Sequence, residues 1–182
     1  SPFWRAAYAL DLPAMRMLIE AGADPNVPTM KAPARRFAFA PEGSATDPSG
    51  LPPVPISGPD VFPIHAGTGH AYGTGFAGVS HRHAPDAWMP TVRYLVEELG
   101  ADVNARDSNG FAPIHWAASR GDNEVIMYLV EKGADPTVIS RRGHTTADMA
   151  NGPVQRISPF LETIALLESL GSANNNNCVS CE

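Results

Sequence analysis

The chain has no apolar run approaching the roughly 20 residues needed to cross a bilayer, so nothing in it reads as a membrane span. No secretory leader is visible, although the chain opens on Ser1 rather than methionine, which leads us to expect further sequence upstream. Positive charge is scarce. Lys and Arg together number 13 against 19 Asp and Glu, a net charge of −6. That leaves no global basic surface to recruit phosphates and excludes a nucleic-acid partner from the reading. The signatures of catalysis are missing too. The acidic residues are scattered, with no pair marked as general acid and base, and no nucleophile motif is present. Gly73, Gly75 and Gly78 are not followed by Lys-Ser/Thr in a strand-to-helix setting, so they read as loop glycines rather than a phosphate loop. These absences give no sign of an enzyme.

What is present is periodicity. At 43% hydrophobic and 18% charged, the composition suits one globular domain. Glycine and proline, 16 and 18 residues, concentrate between about Val27 and Ala84 and mark loops there. Outside that region the chain repeats itself. Gly110 recurs as Gly143 and the Gly100-Ala101-Asp102 triplet as Gly133-Ala134-Asp135, both 33 residues on. Within the unit, Pro113-Ile-His-Trp-Ala-Ala118 opens a first helix on proline, where the missing N–H costs nothing. A second helix runs through Val125 to Lys132 and stops at Gly133, the residue suited to a left-handed helix end. Pro2-Phe-Trp-Arg-Ala-Ala7 and Pro63-Ile-His65 repeat the opening. Ala14 to Gly22, Tyr94 to Gly100 and Thr163 to Gly171 repeat the second helix. The spacing predicts second helices near Leu12 to Glu20, Pro90 to Glu98, Glu124 to Glu131 and Glu162 to Leu170.

The run from Asp107 to Asp135 resembles the ankyrin repeat: a turn, a Thr-Pro-Leu-His-like helix start, a second helix and a Gly-Ala-Asp ending. The resemblance implies an all-α, ankyrin-repeat solenoid of about four helix–turn–helix repeats, at about 1–26, 57–104, 107–139 and 140–171, with a polar C-terminal tail at 172–182. Because no single helix pair can bury its apolar face alone, stacking is obligatory. The expected packing residues are the small Ala6, Ala7, Ala117 and Ala118, with Leu95, Leu129 and Leu167 on the second helices.

The sequence departs from this pattern in two long loop insertions, at about 28–59 and 67–87. Between Gly22 and Gly100 the chain carries 45 residues beyond the repeat length. We expect the first insertion to be an elaborated hairpin tip or ordered coil, and both to be ordered because they hold Phe37, Phe39, Tyr72, Phe76 and Trp88. Repeat one begins at its helix proline without its turn, so further repeats or another chain are expected to cover that end.

Candidate functional residues follow in three groups. The resemblance implies a concave partner-binding face built from turn tips and first helices. Mapped onto this chain it includes Phe111, Trp116, Arg120, Arg141, Arg142, His144 and Met149, aromatic and arginine types enriched in binding hot spots. Phe111 and Trp116 are equally readable as packing beneath the insertions. His65 and His115 occupy the helix-start position and read as structural. His70, His81 and His83 lie in the glycine-rich insertion, where alternate residues could share a metal ion; a polar loop is the plainer reading. Cys178 and Cys181, the only cysteines, form a Cys-x-x-Cys pair open to a short disulfide, half a zinc site or two plain thiols. It also resembles a c-type haem motif interrupted at Glu182, and some bacterial ankyrin proteins carry a cytochrome-like segment after the repeats. An oxidised pair would favour a periplasmic or extracellular location. The resulting expectation is an interaction module or scaffold that binds a protein partner or larger assembly without a cofactor. The alternative is an accessory subunit of a redox or membrane-associated complex.

Overall fold

The computed structural model describes residues 1–33, 47–71, 85–152 and 157–176. Among them the regular elements are helical, apart from two isolated antiparallel bridges, Met30 with Pro59 and Ile139 with Thr145. The helices come in pairs: α1 (Pro2–Ala9) with α2 (Leu12–Glu20), α3 (Pro63–Thr68) with α4 (Trp88–Arg93), α5 (Pro113–Ala118) with α6 (Asn123–Glu131), and α7 (Thr146–Asn151) with α8 (Leu161–Ser169). Each pair is one repeat, and α1 packs on α3, α3 on α5 and α5 on α7. The second helices lie where the periodicity places them.

Local chemistry explains the boundaries. Asp11 and Asp122 cap α2 and α6, each side chain accepting a backbone N–H from three residues on at 3.0 Å. At the other ends Gly22, Gly133 and Gly171 take φ of 85°, 93° and 97°. The following residue then donates to a carbonyl five positions back: Ala23 to Leu18, Ala134 to Leu129, Ser172 to Leu167. Repeat two differs. Leu99 is one residue extra, so Ala101 reaches back six positions to Leu95, and α4 continues as a π-helical turn over Tyr94–Glu98.

The core runs the length of the stack. Phe3, Met15, Leu95, Ile114, Ile126, Leu129, Met149 and Leu167 are fully buried, with Ala7, Ala117 and Ala118 between them. Close approach between helices shows at Gly67, where a Cβ would sit 2.7 Å from Leu95 Cδ1.

The described part of the first insertion is a stem and a strap. Thr29 donates to Val61 O and Lys31 to Gly58 O, while Ser57 donates back to Lys31 O, each at 2.9 Å. From that stem, residues 47–55 run over the turn tips of repeats three and four. The polar C-terminal tail is not a loose extension over its described part. As far as Asn176 it is docked on α7: Asn175 N and Nδ2 donate to the two Asp148 carboxylate oxygens at 2.8 and 2.7 Å. Thr145 Oγ1 donates to Ala173 O at 2.6 Å.

Candidate partner-binding face

The helix-start histidines show how the turn tips are held. His65 Nδ1 accepts from Phe62 N at 3.1 Å and His115 Nδ1 from Ala112 N at 3.0 Å. Each Nε2 faces a carbonyl of the next repeat, Ala105 O at 2.9 Å and His144 O at 3.3 Å. Both rings are fully buried, and burial pushes each pKa down to about 3. In repeat four Asp148 stands in the histidine's place. Its Oδ2 accepts from Thr145 N at 3.0 Å, the same helix-start contact. Asp107, which opens the repeat-three turn, accepts from Asn109 N and Phe111 N through Oδ1, both at 2.9 Å. Burial lifts its pKa to about 7, against the pull of those two donors.

Along the first helices runs a line of rings. Tyr8 stacks on Trp4 with centroids 5.3 Å apart, and His70 meets Trp4 at 6.4 Å and Trp116 at 4.7 Å. Phe111 continues the line, 5.0 Å from Trp116 and 6.3 Å from His144. Trp4, Tyr8, His70 and His144 are half-buried. The indole N–H groups of Trp4 and Trp116 are buried without an acceptor among the described residues.

This geometry corrects part of the expected contact set. Phe111 and Trp116 are 7% and 4% exposed and Met149 is fully buried, so these three pack the stack instead of facing a partner. The physical cause is the neighbouring rings: His70 closes over Trp116, while Phe111 is enclosed by His115, Trp116 and His144. Met149 belongs to the core beneath α7.

Two of the arginines are clamps. Arg120 Nε donates to Thr68 O at 3.1 Å, its Nη2 pairs with Asp122 at 2.6 Å, and its guanidinium carbon sits 3.4 Å from the Trp88 ring centroid. It therefore fastens both flanks of the second insertion to repeat three. Arg141 does the same for the first insertion. Its Nε donates to Ser108 O at 3.0 Å, Nη1 to Asp47 Oδ2 at 2.6 Å and Leu51 O at 3.1 Å, and Nη2 to Pro52 O at 2.6 Å. Of the expected set, Arg142 is exposed and His144 half-buried.

His81, His83, Cys178 and Cys181 lie outside the described residues. His70 is described, and its ring meets the two tryptophans. Among the described residues no three His, Cys, Asp or Glu side chains come together as a metal site. No described helix is long and apolar enough to cross a membrane.

Sequence reading missed what holds the stem and the strap. Ser108 Oγ donates to Asp60 Oδ1 at 2.6 Å, and nothing local marks that pair. It also missed a cleft of about 350 Å³ between the loops of repeats one and two, lined by Pro25, Asn26, Phe62, Ala101, Asp102 and Arg106. One seam further along, Asn104 bridges such loops by donating to Gly133 O and accepting from Asp135 N.

Residues 81–140 match the family model described as ankyrin repeats (3 copies). Over that stretch the chain is built of ankyrin repeats. Among curated proteins, it is 34% identical over 88 residues to the tyrosine-protein kinase HTK16 of Hydra vulgaris, 46% of this chain and 11% of the kinase. It is 34% identical over 83 residues to ankyrin repeat and SAM domain-containing protein 6 of Rattus norvegicus, 45% of this chain and 9% of that protein. It is 33% identical over 86 residues to ankyrin repeat domain-containing protein 37 of Bos taurus, 45% of this chain and 54% of that protein. The chain thus matches about a tenth of the first two relatives and about half of the third.

Proposed function

We propose that this ankyrin-repeat chain is a protein–protein interaction module that receives its partner along the first helices and the turn tips. Ankyrin repeats serve generally as non-enzymatic interaction modules, which supports the reading. The observation that carries it is the line of half-buried rings from Tyr8 through Trp4 and His70 to His144, with Arg142 beside it. Such side chains bring large contact area at small entropic cost, as interface anchors do. Truncating an anchor of this kind costs about 2 kcal/mol or more of binding, some thirtyfold in affinity.

The test is recovery of the native partner from its source on immobilised protein. Tyr8→Ala with Arg142→Glu should lose most of it, whereas Met17→Glu, at a 70% exposed site on α2, should not. Loss with Met17→Glu alone would move the interface to the outer helices. We assign an extracytoplasmic location on the strength of Cys178 and Cys181, supported by the rule that such pairs oxidise outside a reducing cytosol. Unreduced peptide mass spectrometry decides it, two freely alkylated thiols removing the argument. The redox-accessory alternative rests on the same two residues and gains no support from the comparisons.

A further inference from the structure

We propose that the turn tips of repeats three and four form a binding site for an extended, proline-rich segment bearing one acidic residue, and that the chain fills this site with its own residues 47–55. The inference rests on the reading of the chain as an interaction module and names the class of partner for one part of its surface.

The strap reads Asp47-Pro-Ser-Gly-Leu-Pro-Pro-Val-Pro55. It contributes a carboxylate and two backbone carbonyls, and Arg141 receives all three: Asp47 at 2.6 Å, Leu51 O at 3.1 Å and Pro52 O at 2.6 Å. Ser108 O orients the same guanidinium from behind, at 3.0 Å to Nε. The tips themselves are open to close approach because they are glycine. A Cβ on Gly110 would lie 3.3 Å from Leu51 Cδ1, and one on Gly143 3.5 Å from Pro48 Cγ. Both glycines have positive φ, 81° and 78°, so another residue there would be strained as well as bulky.

Those are the elements of peptide recognition: a charged fork for a carboxylate and main-chain oxygens, and smooth backbone against which proline and leucine lie. Proline fixes the extended form and so reduces the entropy lost on docking. The recognition is not specific to the covalent link, because every contact is made by the strap's residues and none requires the chain to be continuous. A foreign segment with an acid four residues before a Leu-Pro pair makes the same set. The strap then acts as the competitor. Tethering gives it an effective concentration on the order of millimolar, so a free peptide competes only above that level unless the strap is loosened.

The experiment uses a fluorescein-labelled peptide of residues 47–55 and three full-length proteins: the parent, Asp47→Ala/Leu51→Ala, and that double variant with Arg141→Ala. Circular dichroism and a cooperative melt establish the fold of each. The peptide should bind the double variant at least tenfold more tightly than the parent, and adding Arg141→Ala should remove at least tenfold of that gain. Equal binding to parent and double variant, or binding indifferent to Arg141, overturns the proposal. So does a concentration-dependent dimer of the parent, which would assign the surface to a strap exchanged between two copies. If the double variant does not fold, the parent is titrated with unlabelled peptide to several millimolar, with the Arg141 Nε–H resonance as the readout. A saturable shift supports the site and an unmoved resonance overturns it. Failure of the peptide while the native partner is still recovered sinks this inference and leaves the interaction reading standing.

Discussion

At the residue scale, buried ionisable groups give the chain a readable pH response. His65 and His115 are held neutral, their pKa depressed by burial to about 3, against an unfolded value of about 6.5. Between those limits the unfolded chain binds two protons that the folded chain refuses, so stability is present above about pH 6.5 and is lost as pH falls toward 3. Asp107 opposes this. Its folded pKa is raised to about 7 against an unfolded value of about 3.9; its contribution is complete at low pH and lost as pH rises through 7. Two protons against one leaves a net loss of about 1.4 kcal/mol per pH unit on acidification between roughly pH 6 and 4.5. Denaturant midpoints across that window should fall with pH, and Asp107→Asn should make the fall about twice as steep. A flat or inverted parent profile would show that the two imidazoles are not held neutral. These histidines were legible because their position fixes their role. Phe111, Trp116 and Arg141 were not: a helix-face reading leaves them open, and what covers them comes from elsewhere in the chain, His70 over Trp116 and the strap over Arg141.

At the element scale, the periodicity located the four second helices among the described residues, since the glycine stops are local signals. The π turn in repeat two was equally visible in principle. Tyr94 stands six residues before Gly100, whereas Tyr128 stands five before Gly133, and that single surplus residue is what the widened turn absorbs. Deleting Leu99 should therefore restore the five-residue closure seen in the other repeats. The shortened protein should keep its helical signal and melt within a few degrees of the parent, the half-buried Leu99 side chain being the main loss. Deleting Val130, which has no surplus to remove, should abolish the cooperative melt. Equal damage from the two deletions would refute this account of the turn. The docked tail was not legible, because Asn174 to Asn176 carry no periodic pattern. Their order comes from satisfying Asp148, a carboxylate whose burial would be costly without donors.

At the scale of the whole molecule, two kinds of contact coexist. Repeat-to-repeat packing joins neighbours in the stack, as expected of a solenoid. The strap instead joins residues 94 positions apart in sequence, Asp47 to Arg141. The distinction sets an order in time. Helix pairs can stack as soon as adjacent repeats exist, whereas the strap's site is complete only after repeats three and four have met, and closing so long a loop is entropically later still. The strap should therefore settle after the rate-limiting barrier has been crossed. In stopped-flow refolding, Arg141→Ala should leave the folding rate within about twofold of the parent and place most of its destabilisation in faster unfolding. A slower folding limb would mean that the strap is part of the nucleus. If it is not, the molecule finishes its scaffold first and closes its own latch last, and on unfolding that latch is the first part to let go.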